Sequence, residues 1–548
     1  MRNSITHRTA VSLIGFVLAV GVAAQDPAPD AFIDRDFLVR PFELTAQPFP
    51  FADWSLVEAG HIDWVGPDGR PAPLNDPHDI ERAEEVRAVP VGLAHGVRIQ
   101  AQSARKGPRF NESFPRDLPW EEGRLQPHTL LHDAETGVYR LWYECRGGIA
   151  YAESTDLETW TKPLLNPESR DGRAGSNLTF FENHEAILAS GVFQHPESLR
   201  VAASGTVFVD PSAPDAERFK CTVLASSDPI KLQAFVARTG KPLGARVSPN
   251  SGNCLYPAWS ADGVAWTLGL EPNLLQDADT QTVVHFDTEI KRYVAYTRNW
   301  DFDRRVIARS ESADFRDFPL PRTVLRPGSS EAPWTDYYLN TMTPYPGQLD
   351  LRLILCLAYD RQADSSSIRL ATSRDGTNWD VTPGPPLVST GASDTWDAYF
   401  VMPHPGLVRK PDGDLLLYYS GYKYPHKFPR SKFQEGDSGI AQWEADRLVA
   451  IEAESEGEFT TAPLRLRGKL IRINAATSAT GEIRAELLDK EFDAIAGRGL
   501  AEAIPIVGDH ADAVLAWTGG GDLAALEGEF VRVRFMMRNA RIFSMRAE

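Results

Sequence analysis

Basic residues are in the minority. The chain has 57 Lys and Arg against 75 Asp and Glu, a formal charge of −18 over 548 residues. A nucleic-acid binder needs a basic face to displace counterions from phosphates, so that class is excluded. Cysteine is scarce: Cys145, Cys221, Cys254 and Cys356 form no CxxC pair and no metal-like spacing. Most of them sit in apolar, strand-like runs and read as buried thiols, although export would also permit disulfides. No HExxH, P-loop, GxGxxG or Gly-x-Ser-x-Gly sequence occurs, which weakens zinc-protease, nucleotide-binding and α/β-hydrolase readings. Past Ala24 no run reaches about 18 uninterrupted apolar residues, so no membrane span is expected. No long amphipathic helical period is present either.

Apolar residues make up 42% and aromatics 10%, enough for a large core, while 41 Gly and 40 Pro supply frequent turns. Arg2 and Arg8 precede a short apolar run from Ala10 to Ala24, and Val22-Ala23-Ala24 has the small residues of a cleavage site. Residues 1–24 therefore read as a signal peptide, predicting a periplasmic or secreted protein.

The informative feature is internal repetition. An apolar strand, a turn and a second strand recur as Leu130–Asp133 with Tyr139–Tyr143, Val207–Asp210 with Phe219–Val223, and Val283–Asp287 with Tyr293–Tyr296. A looser copy pairs Met342–Tyr345 with Leu351–Tyr359, and another pairs Gly406–Val408 with Leu415–Tyr419 across Pro411-Asp412-Gly413. Short alternation between Asp, Gly and Pro turns reads as β-hairpins. A further strand then runs into Ser-x-Asp and an aromatic: Ser154 to Trp160, Ser260 to Trp266, Ser312 to Phe318, and Ser373 to Trp379. Ser and Asp side chains bond turn backbone, so these motifs are structural.

Five such units predict an all-β protein with a five-bladed β-propeller over residues 96–454. Residues 25–95 are acidic and Pro-rich, with one short helix around Asp79–Val86, and are expected to wrap the propeller. After Glu452–Gly457 aromatics thin out and strands alternate cleanly, so residues 455–548 are read as a β-sandwich that supports the propeller and gives no catalytic group.

Hairpins such as Tyr139-Arg140-Leu141-Trp142-Tyr143, followed by Ser154-Thr155-Asp156 and Trp160, resemble the β-fructosidase and arabinanase superfamily, glycoside hydrolase families 32 and 43. The resemblance implies an exported glycosidase with three carboxylates at the propeller mouth. Family 32 carries them in Asn-Asp-Pro, Arg-Asp-Pro and Glu-Cys motifs. Fragments exist here as Asn75-Asp76-Pro77, Arg116-Asp117 and Glu144-Cys145, but they are rejected as the triad because they span about one blade. Fructan specificity is thus unsupported.

A propeller holds its ligand at the axis, so acids that open inner strands are the candidates. Asp279, Asp336 and Asp397 meet that rule and are the expected catalytic acids. Glycoside hydrolysis needs one protonated and one ionised carboxyl, and like charges converging on one axis supply both. Trp120, Glu121 and Trp396 hold similar places, Gln281 lies two positions beyond Asp279, and Arg298 ends a strand of the same blade. Tyr422 and His426 follow the last inner hairpin, and with those residues are the expected substrate-binding groups. No metal site and no cofactor is expected; an axial calcium fits the fold, but no ligand cluster declares itself. The partner is a carbohydrate. A non-catalytic carbohydrate-binding propeller is the alternative. A sialidase or lyase is weakened because Gly directly follows the turn Asp in Asp262-Gly263 and Asp375-Gly376.

Overall fold

A computed structural model describes residues 42–548, apart from 68, 71–85, 169–171, 245, 249–251, 428 and 434. The expected leader, the Asn75-Asp76-Pro77 fragment and all but the last residue of the expected Asp79–Val86 helix lie outside the described residues. No helix among the described residues is long and apolar enough to cross a membrane.

The protein is all-β and built on a five-bladed propeller. Blade I comprises Gln126–Asp133, Val138–Cys145 and Gly148–Ser154. Blade II comprises Phe208–Val209, Phe219–Ser226, Asn253–Ser260 and Ala265–Leu268, with Phe180–Phe181 added in parallel. Blade III runs through Val283–Asp287, Arg292–Asp301, Arg304–Ser312 and Arg322–Leu325. Blade IV runs through Thr335–Tyr345, Gln348–Asp360, Ser365–Ser373 and Asp380–Val381. Blade V has Phe400–Pro403 innermost, then Leu415–Tyr422 and Gly436–Trp443.

Four of the expected hairpins fall on these strands, with Val207 and Asp210 flanking theirs; the fifth is displaced, because blade V opens on Phe400–Pro403 and of Gly406–Val408 only Val408 is in a strand, Val408–Arg409. Middle strands are covered on both faces by neighbouring blades, so Tyr139–Tyr143 are all buried instead of alternating. The Ser-x-Asp turns do the work expected of them. Ser260 Oγ accepts from the N–H of Asp262 and Gly263, and Asp262 accepts from Val264 and Ala265. Trp142 of blade I donates to the Gly263 carbonyl at 2.8 Å, so this turn also joins two blades.

The ring is closed from the N-terminal side. Arg105–Arg109 pairs antiparallel with Gly436–Trp443 and becomes the outer strand of blade V. At the same seam Leu130 N–H donates to the Pro405 carbonyl at 3.0 Å. Gly406 follows with φ of +111°, and a Cβ there would lie 1.7 Å from Leu130 O, so only glycine fits.

The C-terminal strands Val449–Thr460, Leu464–Leu466, Ile471–Leu488, Asp509–Val514 and Phe530–Ala547 belong to one eight-stranded sheet. Phe42–Leu44, Phe49–Pro50 and Arg98–Ala101 join it, so part of the wrapping segment is built into the C-terminal unit. Val449–Thr460 runs through the expected boundary at residue 455. Leu353 and Leu355 of blade IV, Leu415 and Leu417 of blade V, and Ile451, Val533 and Phe535 of the sheet form one apolar core. Each fully buried Leu or Phe there stabilises by about 1.5–3 kcal/mol, which holds the propeller against its support.

Candidate active site at the propeller mouth

Inner strands, or the loops that lead into them, bring all five blades to one cavity of about 300 Å³. Blade I contributes Gln126, His128 and Glu144; blade III, Asp279, Thr280 and Gln281; blade IV, Tyr338 and Leu339. Ser204 precedes the inner strand of blade II, and blade V and its following loop give Phe400, Met402, His404, Tyr422, His426, Arg430 and Phe433. A larger groove of about 630 Å³ lies beside Ala52–Ser55 and the outer strands of blade IV. Two of its three acids are engaged: Arg374 Nε pairs with Asp53 at 2.7 Å, and Asp375 accepts from turn N–H groups. The axial cavity is therefore the better candidate.

Two β-bulges shape the wall. The inner strand of blade I slips register between Pro127 and Thr129, and that of blade IV between Tyr337 and Leu339. The residues at the slips, His128 and Tyr338, both line the cavity. A bulge re-aims side chains that strict alternation would send elsewhere.

The carboxylates of the cavity come from separate blades. Glu144, paired in register with Gln126, is exposed on the second strand of blade I. Asp279, with its side chain 65% exposed, forms an ion pair with the buried Arg298. The Arg298 guanidinium lies 5.7 Å from the Trp300 ring and 5.5 Å from the Tyr338 ring, so stacking fixes the group that orients Asp279.

Aromatic rings cover the blade V side of the cavity. Tyr422 and Phe433 stack at 4.4 Å, and Phe400 stacks on His426 at 5.2 Å. His426 Nε2 lies 3.4 Å from Tyr338 Oη, and burial, helped by nearby Arg430, pushes its imidazole down to about 4. His404 Nε2 meets Ser420 Oγ at 2.8 Å, and burial, with His128 and Arg124 nearby, pushes it down to about 3. Burial also holds His128 below its usual value, against the pull of the Glu144 charge. These three imidazoles are neutral at pH 7.

Of the residues expected from sequence, Asp279, Gln281, Tyr422 and His426 line the cavity, and Arg298 backs Asp279. The others are placed elsewhere. Asp336 is fully buried between Arg305 Nη1 at 2.7 Å and Arg361 Nη2 at 2.8 Å. Asp397 is buried against Lys106 Nζ at 2.5 Å, Thr395 Oγ1 at 2.8 Å and Tyr419 Oη at 3.3 Å, with Trp396 stacked on Tyr419. Trp120 donates to Asn177 Oδ1 at 2.8 Å. Glu121 accepts from Tyr143 Oη at 2.5 Å, Lys162 Nζ at 2.8 Å and two backbone N–H groups. The Trp120 and Glu121 bonds tie the segment before blade I to Tyr143 of that blade and to Lys162 and Asn177 beyond it.

The sequence reading missed His128, Tyr338, His404 and Arg430, and it set Glu144 aside for its spacing. Asp277 stands behind the lining, where it accepts from Asn253 and where burial, and the Asp279 charge, raise its carboxyl. Among the described residues no three His, Cys, Asp or Glu side chains gather as a metal-ligand set.

No family model matches the sequence, and no curated protein matches it. Solved structures do. The chain resembles propeller glycoside hydrolases in fold. A thermostable family-43 glycoside hydrolase is 14% identical, with a TM-score of 0.37 over 60% of this chain and 93% of its own. An endo-arabinase from Bacteroides thetaiotaomicron is 14% identical, with a TM-score of 0.33 over 60% and 96%. A GH32 β-fructofuranosidase from Bombyx mori is 11% identical, with a TM-score of 0.34 over 78% and 91%. The chemistry rests on the side chains of this chain alone.

Proposed function

We propose that the protein is an exported glycoside hydrolase that cleaves a poly- or oligosaccharide in the mouth cavity, with Glu144 and Asp279 as its carboxyl pair. One observation carries this reading. Two carboxylates from separate blades enter a cavity also lined by the rings of Tyr338, Phe400, Tyr422 and Phe433. Flat rings cover the apolar face of a sugar, while one carboxyl protonates the leaving oxygen and the other acts on the anomeric carbon, directly or through water. Arg298 is a positioning group for Asp279, and Gln281 is a hydrogen-bonding group for sugar hydroxyls. Asp336 and Asp397 serve structural ion pairs, and the C-terminal unit is a sandwich-type support.

The test is reducing-end release from a panel of polysaccharides and aryl glycosides. Glu144→Gln and Asp279→Asn should each lower kcat at least about 100-fold, the first with little change in Tm and the second with some loss of Tm because the buried Arg298 loses its carboxylate. Full turnover by either variant would remove that residue from the mechanism. The binding-only reading draws on a specific observation: Glu121, Asp336 and Asp397 are all engaged in buried ion pairs, leaving few acids free at the axis. Saccharide binding without release of reducing ends would favour it.

A further inference from the structure

We infer that the saccharide taken by the mouth cavity carries an anionic group, a carboxylate or a sulfate ester, bound by Arg430 on the blade V side. This deepens the proposed saccharide site and rests on it. The charges around the cavity are the starting point. In a chain with a net charge of −18, the arginines beside the mouth are mostly neutralised in place: Arg298 by Asp279, and Arg305 and Arg361 by Asp336. Arg430 differs. It lines the cavity, is exposed, and among the described residues has no carboxylate partner. Its guanidinium lies 5.0 Å from the Phe433 ring and donates to the His426 carbonyl at 2.9 Å, which fixes its plane and leaves other N–H groups unspent.

Buried polar atoms point the same way. Among the described residues His426 Nδ1 and His404 Nδ1 have no hydrogen-bond partner, although His426 is 8% and His404 2% exposed and both line the cavity. Buried polar atoms are nearly always partnered, by protein, water or ligand, so both nitrogens are available to a polar ligand in the cavity. The acids Glu144 and Asp279 stand on blades I and III. An anionic ring substituent is repelled there and attracted to Arg430, so charge sets the orientation of the sugar as well as its selection.

The experiment uses the full chain and calorimetric titration at low salt with tetragalacturonate, a sulfated galactan tetrasaccharide and neutral galactotetraose. At least one anionic probe should bind about tenfold or more tightly than the neutral one, and which one binds separates carboxylate from sulfate. Arg430→Gln should weaken that probe by about 10- to 100-fold, the loss of a charge-assisted bond, and change galactotetraose little. Arg430→Lys should recover part of the loss, which guards against a folding artefact. Equal or tighter binding of galactotetraose, equal weakening of all probes by Arg430→Gln, or binding of none would overturn the inference. Reducing ends are measured in the same samples. Cleavage without charge preference sinks the anionic inference and leaves the hydrolase reading standing. Arg430-dependent binding without cleavage does the reverse.

Discussion

Asp336 offers the sharpest separation of a structural acid from a catalytic one. Its carboxylate is fully buried and accepts from Arg305 Nη1, Arg361 Nε and Nη2, and the Arg305 backbone N–H at 2.7–3.1 Å. Asp336→Asn keeps the shape but removes the charge and turns an amide NH₂ toward guanidinium donors. Breaking a buried ion pair by neutralising one partner costs about 3–5 kcal/mol. Arg361 is 30% exposed and can regain water, whereas Arg305 is 14% exposed and stacked on Trp300 and Tyr338. The lower end, about 3 kcal/mol, is therefore expected. Urea unfolding followed by tryptophan fluorescence reads it as a lower midpoint at unchanged slope. Because Arg305 touches Tyr338 of the cavity wall, a modest fall in kcat, under about tenfold, should accompany the stability loss. A catalytic acid would give the opposite pattern, a loss of at least about 100-fold with the midpoint in place. That pattern would refute the structural assignment and return Asp336 to the active site.

Three further outcomes follow from the same geometry. The neutral His404 and His426, pushed down to about 3 and 4, must charge when the chain unfolds below pH 6.5, so stability is complete above that pH and falls by about 1.4 kcal/mol per histidine per pH unit until each folded value is reached; a flat stability profile from pH 6.5 to 4.5 would contradict this, and His404→Asn should shallow the slope. Asp397→Asn should lower Tm by uncoupling Lys106 of the closing strand, a cost of about 2–3 kcal/mol, and speed proteolysis near residues 105–109; unchanged protease resistance would count against that strand as the clasp. Asp262→Ala, which strips one turn of its two backbone bonds, should cost about 1 kcal/mol and leave kcat alone, as calorimetry and the release assay together will read.

The propeller was legible because its evidence is local. Hairpin strands such as Val283–Asp287 and Arg292–Asp301 sit a few residues apart, and Ser260 and Asp262 bond backbone within their own turn. Pairings over long separations left no such mark. Arg105–Arg109 is charged, contains Pro108 and closes blade V against a strand some 330 residues away, so nothing in its composition announces a strand. Phe42–Leu44 and Phe49–Pro50 are too short to show a period, and their partners lie in the C-terminal sheet.

The mouth was legible as a place more than as a set of groups, and the bulges explain why. The rule that acids at inner-strand starts face the axis assumes an unbroken alternation from the strand start inward. In blade IV the slip between Tyr337 and Leu339 breaks that alternation, so Tyr338 lines the cavity while Asp336 joins Arg305 and Arg361. In blade I the slip between Pro127 and Thr129 brings His128 to the wall, and Glu144 reaches the cavity from the second strand, which the rule never considered. Rejecting Glu144-Cys145 for its spacing tested whether three acids could lie on separate blades. It did not test whether one of them reached the axis alone. Asp279 satisfies the rule because it precedes its strand, which begins at Val283, and so depends on no alternation within it. Acids in the loop before an inner strand are thus safer sequence candidates than acids inside one, unless, as with Asp397, a lysine from the closing strand takes them first.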